Sequence, residues 1–197
     1  MNTKVCLIGP SSERYKGGIA QFTRALADNL ARNRETLFVS WYQLYPPFLL
    51  SRDFIDRVSE KKIGKEQAEF LLGYLNPFSW LKTAKRIAQF ETTHLFLTWI
   101  HPVHAPVYIF LIALVRLFSK PRITFICHNV LPHESFFASR ILSKICLGLA
   151  DDLIVHGQSE CETAKSLGIQ NVEKLFLPLH DFFPHRVDTG EQSDRTE

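Results

Sequence analysis

The sequence predicts a doubly wound α/β domain built on one mostly parallel sheet. Short apolar runs recur along the chain, stretches of helical period separate them, and the runs are continuous rather than alternating. A strand covered on both faces needs apolar side chains in both directions, so it reads as a run such as "VCLI", "LFV", "LFL" or "LIV". Strand and helix patterns that take turns fit a parallel sheet with crossover helices.

Six strands are expected: Lys4–Ile8, Thr36–Trp41, His94–Trp99, Ile123–Cys127, Asp152–Val155 and Lys174–Leu177. After the first comes "GGIAQFTRALADNLARN", where Ile19, Phe22, Leu26 and Leu30 repeat at helical spacing. Arg24 and Asp28 stand four apart on its polar side, as an ion pair would. Residues 42–76 are too long for an ordinary crossover. They hold "YPPF" and then the charged "SRDFIDRVSEKKIGKEQAEF", which predicts a helical insertion, a lobe or flap. Further helices are expected at Phe78–Phe90, with Pro77 suiting its start, and at Ala105–Phe118, Ser135–Leu149 and Ser159–Leu167. In the last, Ser159 is the expected N-cap and Gly168 the stop. Residues 1–184 then make one domain, and 185–197 a polar, disordered tail.

Composition narrows the function. A chain of 197 residues, 46% hydrophobic and 22% charged, can bury one globular core. The net charge is +3 and no continuous basic block occurs, which argues against a nucleic-acid partner. Cys6, Cys127, Cys146 and Cys161 show no CxxC spacing and read as reduced packing thiols. "MNTKVCLIG" enters a strand pattern directly, without a signal-peptide pattern. The longest apolar run, Ala105–Val115, has 11 residues against the ~20 that span a bilayer. A cytoplasmic protein is expected.

In a parallel sheet every carboxyl end lies on one rim, where ligands bind at the point of reversed strand order. Four of the eight histidines fall within three residues after an expected strand end: His101, His128, His156 and His180. Asn129 and Gly157 accompany two of them. His101, before Pro102, reads equally as a turn residue. His128 and His133 are five apart with Pro132 between them, so they cannot share a helix face as metal ligands do. Strands ~4.8 Å apart also spread the rim histidines beyond the reach of one zinc, so no metal is expected.

"KGGIAQF" puts Gly17 and Gly18 at the start of the first helix, where free N–H groups and the helix dipole favour an anion. Neither GxGxxG nor GxxxxGK[ST] is present. In the common order 3-2-1-4-5-6, the first strand neighbours the fourth expected strand, Ile123–Cys127. The glycine loop and His128-Asn129 would then share one crevice.

The segments "KVCLIGP…GGIAQFTRALADNL", "HLFLTWIHPVHAPV", "FICHNVLPHES", "LADDLIVHGQSECETAKSLG" and "KLFLPLHDFF" run in that order over about residues 3–184. Together they resemble the N-terminal, Rossmann-like domain of GT-B glycosyltransferases, specifically glycosyltransferase family 4. The resemblance implies two such domains facing across a cleft, this one receiving the acceptor and the other holding a nucleotide-sugar. It implies retention of configuration, no metal, and the nucleotide-sugar as co-substrate in place of a cofactor. Carried over by motif, Gly17 and Gly18 approach the donor diphosphate, and His128 sits beside the transferred sugar as the catalytic residue. His101, Asn129, Glu134 and His156 fall on the acceptor side, with Glu134 equally suited to capping the next helix.

A glycan or lipid-linked acceptor is implied, in cell-surface polysaccharide or glycolipid synthesis. The expected contact with the inner membrane face is Tyr42–Tyr74, mixing Phe48, Leu49, Leu50 and Phe54 with Arg52, Arg57, Lys61, Lys62 and Lys65. The same pattern suits a flap packed on the domain. The family's donor half, with its Glu-x7-Glu motif, is expected near Pro184, where a polar tail of 13 residues follows. The chain alone is therefore expected to be inactive, with a C-terminal donor domain as partner. A non-catalytic glycan- or partner-binding module derived from a transferase shares every residue named. The missing GxGxxG and YxxxK count against an epimerase or dehydrogenase of another Rossmann type.

Overall fold

The computed structural model describes residues 3–46, 68–132 and 137–175. Seven strands form one sheet: β1 (Lys4–Ile8), β2 (Glu35–Gln43), β3 (Glu69–Gly73), β4 (His94–Trp99), β5 (Arg122–Cys127), β6 (Asp152–Val155) and β7 (Val172–Lys174). Every neighbouring pair is parallel, in the order β3-β2-β1-β4-β5-β6-β7. Five α-helices are described: α1 (Gly18–Ala31), α2 (Pro77–Gln89), α3 (Ala105–Phe118), α4 (Phe137–Leu147) and α5 (Gln158–Ser166). The fold is α/β and Rossmann-like.

Successive strand side chains point to opposite faces, which divides the core in two. Cys6, Ile8, Leu37, Val39, Trp41, Leu95, Leu97, Trp99, Phe125 and Val155 face one way, into the large core with Ile87, Tyr108, Leu111 and Ala164 of the helices. Leu7 and Phe38 face the other way and meet Ala27, Leu26 and Leu30 of α1. The chain winds from β1 out to β3, then returns to β4 on the other side of β1, and that is the reversal at which such sheets open a crevice.

One glycine lets α1 come close. A Cβ on Gly9, just past β1, would lie 2.7 Å from both Thr23 Cγ2 of α1 and Thr98 Oγ1 of β4. No side chain fits between those elements.

The strand Glu69–Gly73 falls inside the expected helical insertion 42–76; residues 47–67 of that insertion, including most of the expected membrane surface, lie outside the described residues. β3 is an edge strand, half-buried except at Leu72 and Gly73, so it lacks the apolar run of a central strand. Missing it also displaced the expected neighbours. β1 pairs with β4, His94–Trp99, and the strand that carries His128 is β5, one place further away. A second correction concerns α5. Its N-cap is Gly157, without a side-chain bond, and Ser159 lies inside the first turn. Gly168 ends that helix at φ 88°, as expected of the stop. Arg24 and Asp28 do pair, at 3.2 Å, but Arg24 is buried and also bonds Glu13, so that side of α1 faces the protein.

Candidate functional site

The loop after β1 is tied down before it reaches the glycines. The Ser11 N–H donates to Ser40 Oγ at 3.0 Å, and the buried Tyr15 hydroxyl donates to the Trp41 carbonyl at 2.9 Å. Both bonds fasten the loop to β2. Gly17 follows at φ 113°, ψ 165°, backbone space that only glycine occupies readily. That conformation sets the start of α1.

The start is open. α1 has no side-chain cap and no acidic residue in its first turn, and a Cβ placed on Gly17 or Gly18 meets nothing within 4 Å. Its first N–H groups and positive dipole end face a cavity of about 200 Å³, whose walls include Pro10, Tyr15, Leu44, Tyr45 and Ile100. Lys16 lies at the same cavity. The wall is mostly apolar.

His128 and His156 come together further along the rim, their rings 5.0 Å apart. Phe22 of α1 packs edge-on against both, at 4.8 Å and 5.6 Å. Phe22 is one helical turn beyond Gly18, so the first turn of α1 stands between the glycine cavity and the histidine pair. His128 does not line that cavity. The two features border adjoining parts of one rim rather than a single pocket. Asn129 is exposed beside them, and Glu134 and His180 lie outside the described residues.

The tautomer of His156 follows from its contacts. Nδ1 lies 3.0 Å from the Leu175 carbonyl, which only accepts, so Nδ1 carries the proton. Nε2 is left as an acceptor, buried and without a hydrogen-bond partner among the described residues. The segment after His128 is fixed in turn by Glu160 of α5. Its carboxylate accepts from the Val130 N–H at 2.5 Å, while the Val130 carbonyl accepts from Trp99 Nε1 at 3.3 Å and Ser143 Oγ at 3.4 Å. Three elements hold one residue, two positions from the ring.

His101 acts on its own turn. Its Nδ1 accepts from the Val103 N–H at 3.1 Å and caps the short 3-10 turn Pro102–His104. Burial lowers its pKa. His104, which no positional argument had singled out, is fully buried against Trp41, Tyr45 and Tyr74. Its Nε2 lies 3.0 Å from the Leu44 carbonyl, so it fastens the cavity wall to the turn after β4. Phe22 and Glu160 were also missed as site residues: one reads as an ordinary helix repeat, the other as an ordinary surface acid. All four cysteines are buried and free, and burial pushes the Cys6 and Cys127 thiols up. No group of three or more metal-ligating side chains occurs among the described residues.

No family model matches the sequence, and comparison with curated proteins gives no match. Among solved structures, the UDP-N-acetylglucosamine 2-epimerase from Rickettsia bellii is similar over 88% of this chain, with a TM-score of 0.56 and 12% identity. The chain spans 44% of that protein. At such identity the likeness shows the fold: Rossmann-like and of the GT-B-like kind.

Proposed function

We propose that this chain is the acceptor-side half of a transferase that moves a sugar from a nucleotide-sugar to a glycan or lipid-linked acceptor. The observation that carries the reading is the uncapped glycine start of α1 beside the His128–His156 pair on one rim. A departing nucleoside diphosphate gains negative charge, and the first-turn N–H groups with the helix dipole stabilise that charge. These few donors cover part of a diphosphate, so the reading includes a donor-binding half, on this polypeptide or a partner, that closes over the rim. His128 then faces the transferred sugar, with the His156 ring, held through Nδ1 by the Leu175 carbonyl, packed behind it. His101, Asn129 and Glu134 belong to the acceptor side.

The neighbour's name supports sugar-nucleotide chemistry on this fold, and it favours one other reading: a UDP-sugar bound for isomerisation rather than transfer. A titration of the chain with nucleotide-sugars, followed by NMR, tests both. The amides of residues 17–19 should move, Gly18→Asp should weaken binding at least about tenfold through charge repulsion, and the His128 and His156 rings should respond to added glycan. Shifts confined to other surfaces would end the reading. Conversion of the sugar to its 2-epimer without an acceptor would establish the other one.

A further inference from the structure

The outer surface of the α2–α3–α4 layer is unlike the rest of the molecule. The exposed residues of α3 are Pro106, Phe110, Ala113, Arg116, Leu117 and Phe118, and Arg116, in the last turn, is the one polar member. A helix packed against a core ordinarily presents charged or polar residues on that side. Here Phe110 is 58% and Leu117 78% exposed, Phe78 of α2 is 83% exposed, and Ile141 and Ile145 of α4 are also exposed. The charges carried by these three helices have one sign, with Glu69 of β3 and Asp151 at the margins of the face. Lys82, Lys85, Arg86, Arg116, Arg140 and Lys144 lie in these helices, which contain no Asp or Glu. Among them only Arg86 forms an ion pair in the described structure, with Glu69.

We infer that this face docks on the surface of a bilayer that contains anionic lipid. Protruding apolar tips ringed by lysine and arginine match an anionic headgroup layer above acyl chains, in charge and in polarity. Uniform positive charge opposes self-association through the same face, because a second copy would bring like charges together. The apolar tips spread over three adjacent helices rather than lining a groove, which suits a planar partner better than an acidic peptide. At the end of α3 next to Leu117, a cleft of about 420 Å³ is lined by Arg116, Lys120 and Arg122 together with Asp151, whose carboxylate accepts from the Ile123 N–H at 2.7 Å. Three basic side chains against one acid leave it a place for a headgroup beside an apolar anchor. Among the described residues no helix is long and apolar enough to cross a membrane, so the contact is peripheral. The inference does not depend on the transferase reading, because binding to lipid is measured without any sugar.

The test is flotation of the full chain with phosphatidylcholine vesicles with and without phosphatidylglycerol. At low salt, binding should be at least about tenfold tighter to the anionic vesicles and should fall as salt is added. The triple substitution Lys82→Glu, Lys85→Glu, Lys144→Glu should weaken it at least about tenfold, each basic residue near such a surface contributing severalfold. Phe78→Ser with Leu117→Ser should weaken binding to both kinds of vesicle, with circular dichroism confirming the fold. Trp80, stacked on Phe110 at 5.8 Å, supplies a second readout: lipids brominated on their chains should quench its fluorescence. Equal binding to neutral and anionic vesicles, charge reversal without effect, or a dimer abolished by the same reversals would each overturn the inference.

Discussion

Replacing His104 by phenylalanine should remove a weakness of the fold toward acid. Both ring nitrogens of His104 face carbonyl oxygens, Leu44 at 3.0 Å and His101 at 3.2 Å. A protonated ring would donate to both, whereas burial opposes the charge. Around it stand Trp41, Tyr45, Tyr74 and Tyr108, with no carboxylate acting on it among the described residues. Burial prevails over the two carbonyls and lowers the pKa to about 4. In the unfolded chain it returns to about 6.5. Between those values the unfolded state holds the extra proton, so stability present above the unfolded pKa is lost as pH falls toward the folded one. By linkage the loss reaches about 2.5 kcal/mol near pH ~4.5. At neutral pH His104→Phe should instead cost about 1–3 kcal/mol, because the Leu44 carbonyl loses its donor. Urea unfolding of both proteins at about pH 7.5 and 4.5 should therefore show the gap between them closing by about 2.5 kcal/mol. A gap that widens in acid, or a His104 proton resonance titrating above 6.5, would mean that the carbonyls outweigh burial.

Two further outcomes are expected. Gly9→Ala should destabilise by about 1–3 kcal/mol in urea unfolding, since its methyl group would press on Thr23 and Thr98 and push α1 off the sheet. Glu160→Gln, which exchanges a charged acceptor of the Val130 N–H for a neutral one, should cost about 1 kcal/mol or more and move the His128 resonances.

Much of the scaffold was legible because central parallel strands leave an unambiguous trace. Lys4–Ile8, His94–Trp99 and Asp152–Val155 lie where their apolar runs put them, as does the helix Ala105–Phe118. The trace fades at the edge of the sheet. In "AEFLLGY" one side of the strand has no neighbour among the described residues and much of it stays half-buried, so nothing distinguished Glu69–Gly73 from the charged stretch before it. Losing one strand shifted the expected partner of β1 by one place. The positions of His128 and His156 on the rim were legible from topology alone, because the residue after a strand lies on a known edge; His180 lies outside the described residues. Phe22 and Glu160 were not, since each acts across tens of residues and locally looks like a helix repeat or a solvated acid. Gly17 stands between these cases: its doublet pointed to a helix start, but only the dihedral angles separate the glycine that the backbone requires from Gly18, which has ordinary angles and empty space around it.

The reversal of strand order governs how the chain can assemble. β1 is made well before β4, its partner on one side, which ends only at Trp99, and the Lys4 carbonyl receives its bond from the Thr93 N–H. On a ribosome adding about 5–20 residues per second, that half of the first strand stays unpaired for on the order of 5–20 s. The nascent chain thus carries an open, largely apolar edge until β4 emerges, and a cell that makes this protein must keep that edge from pairing with another chain.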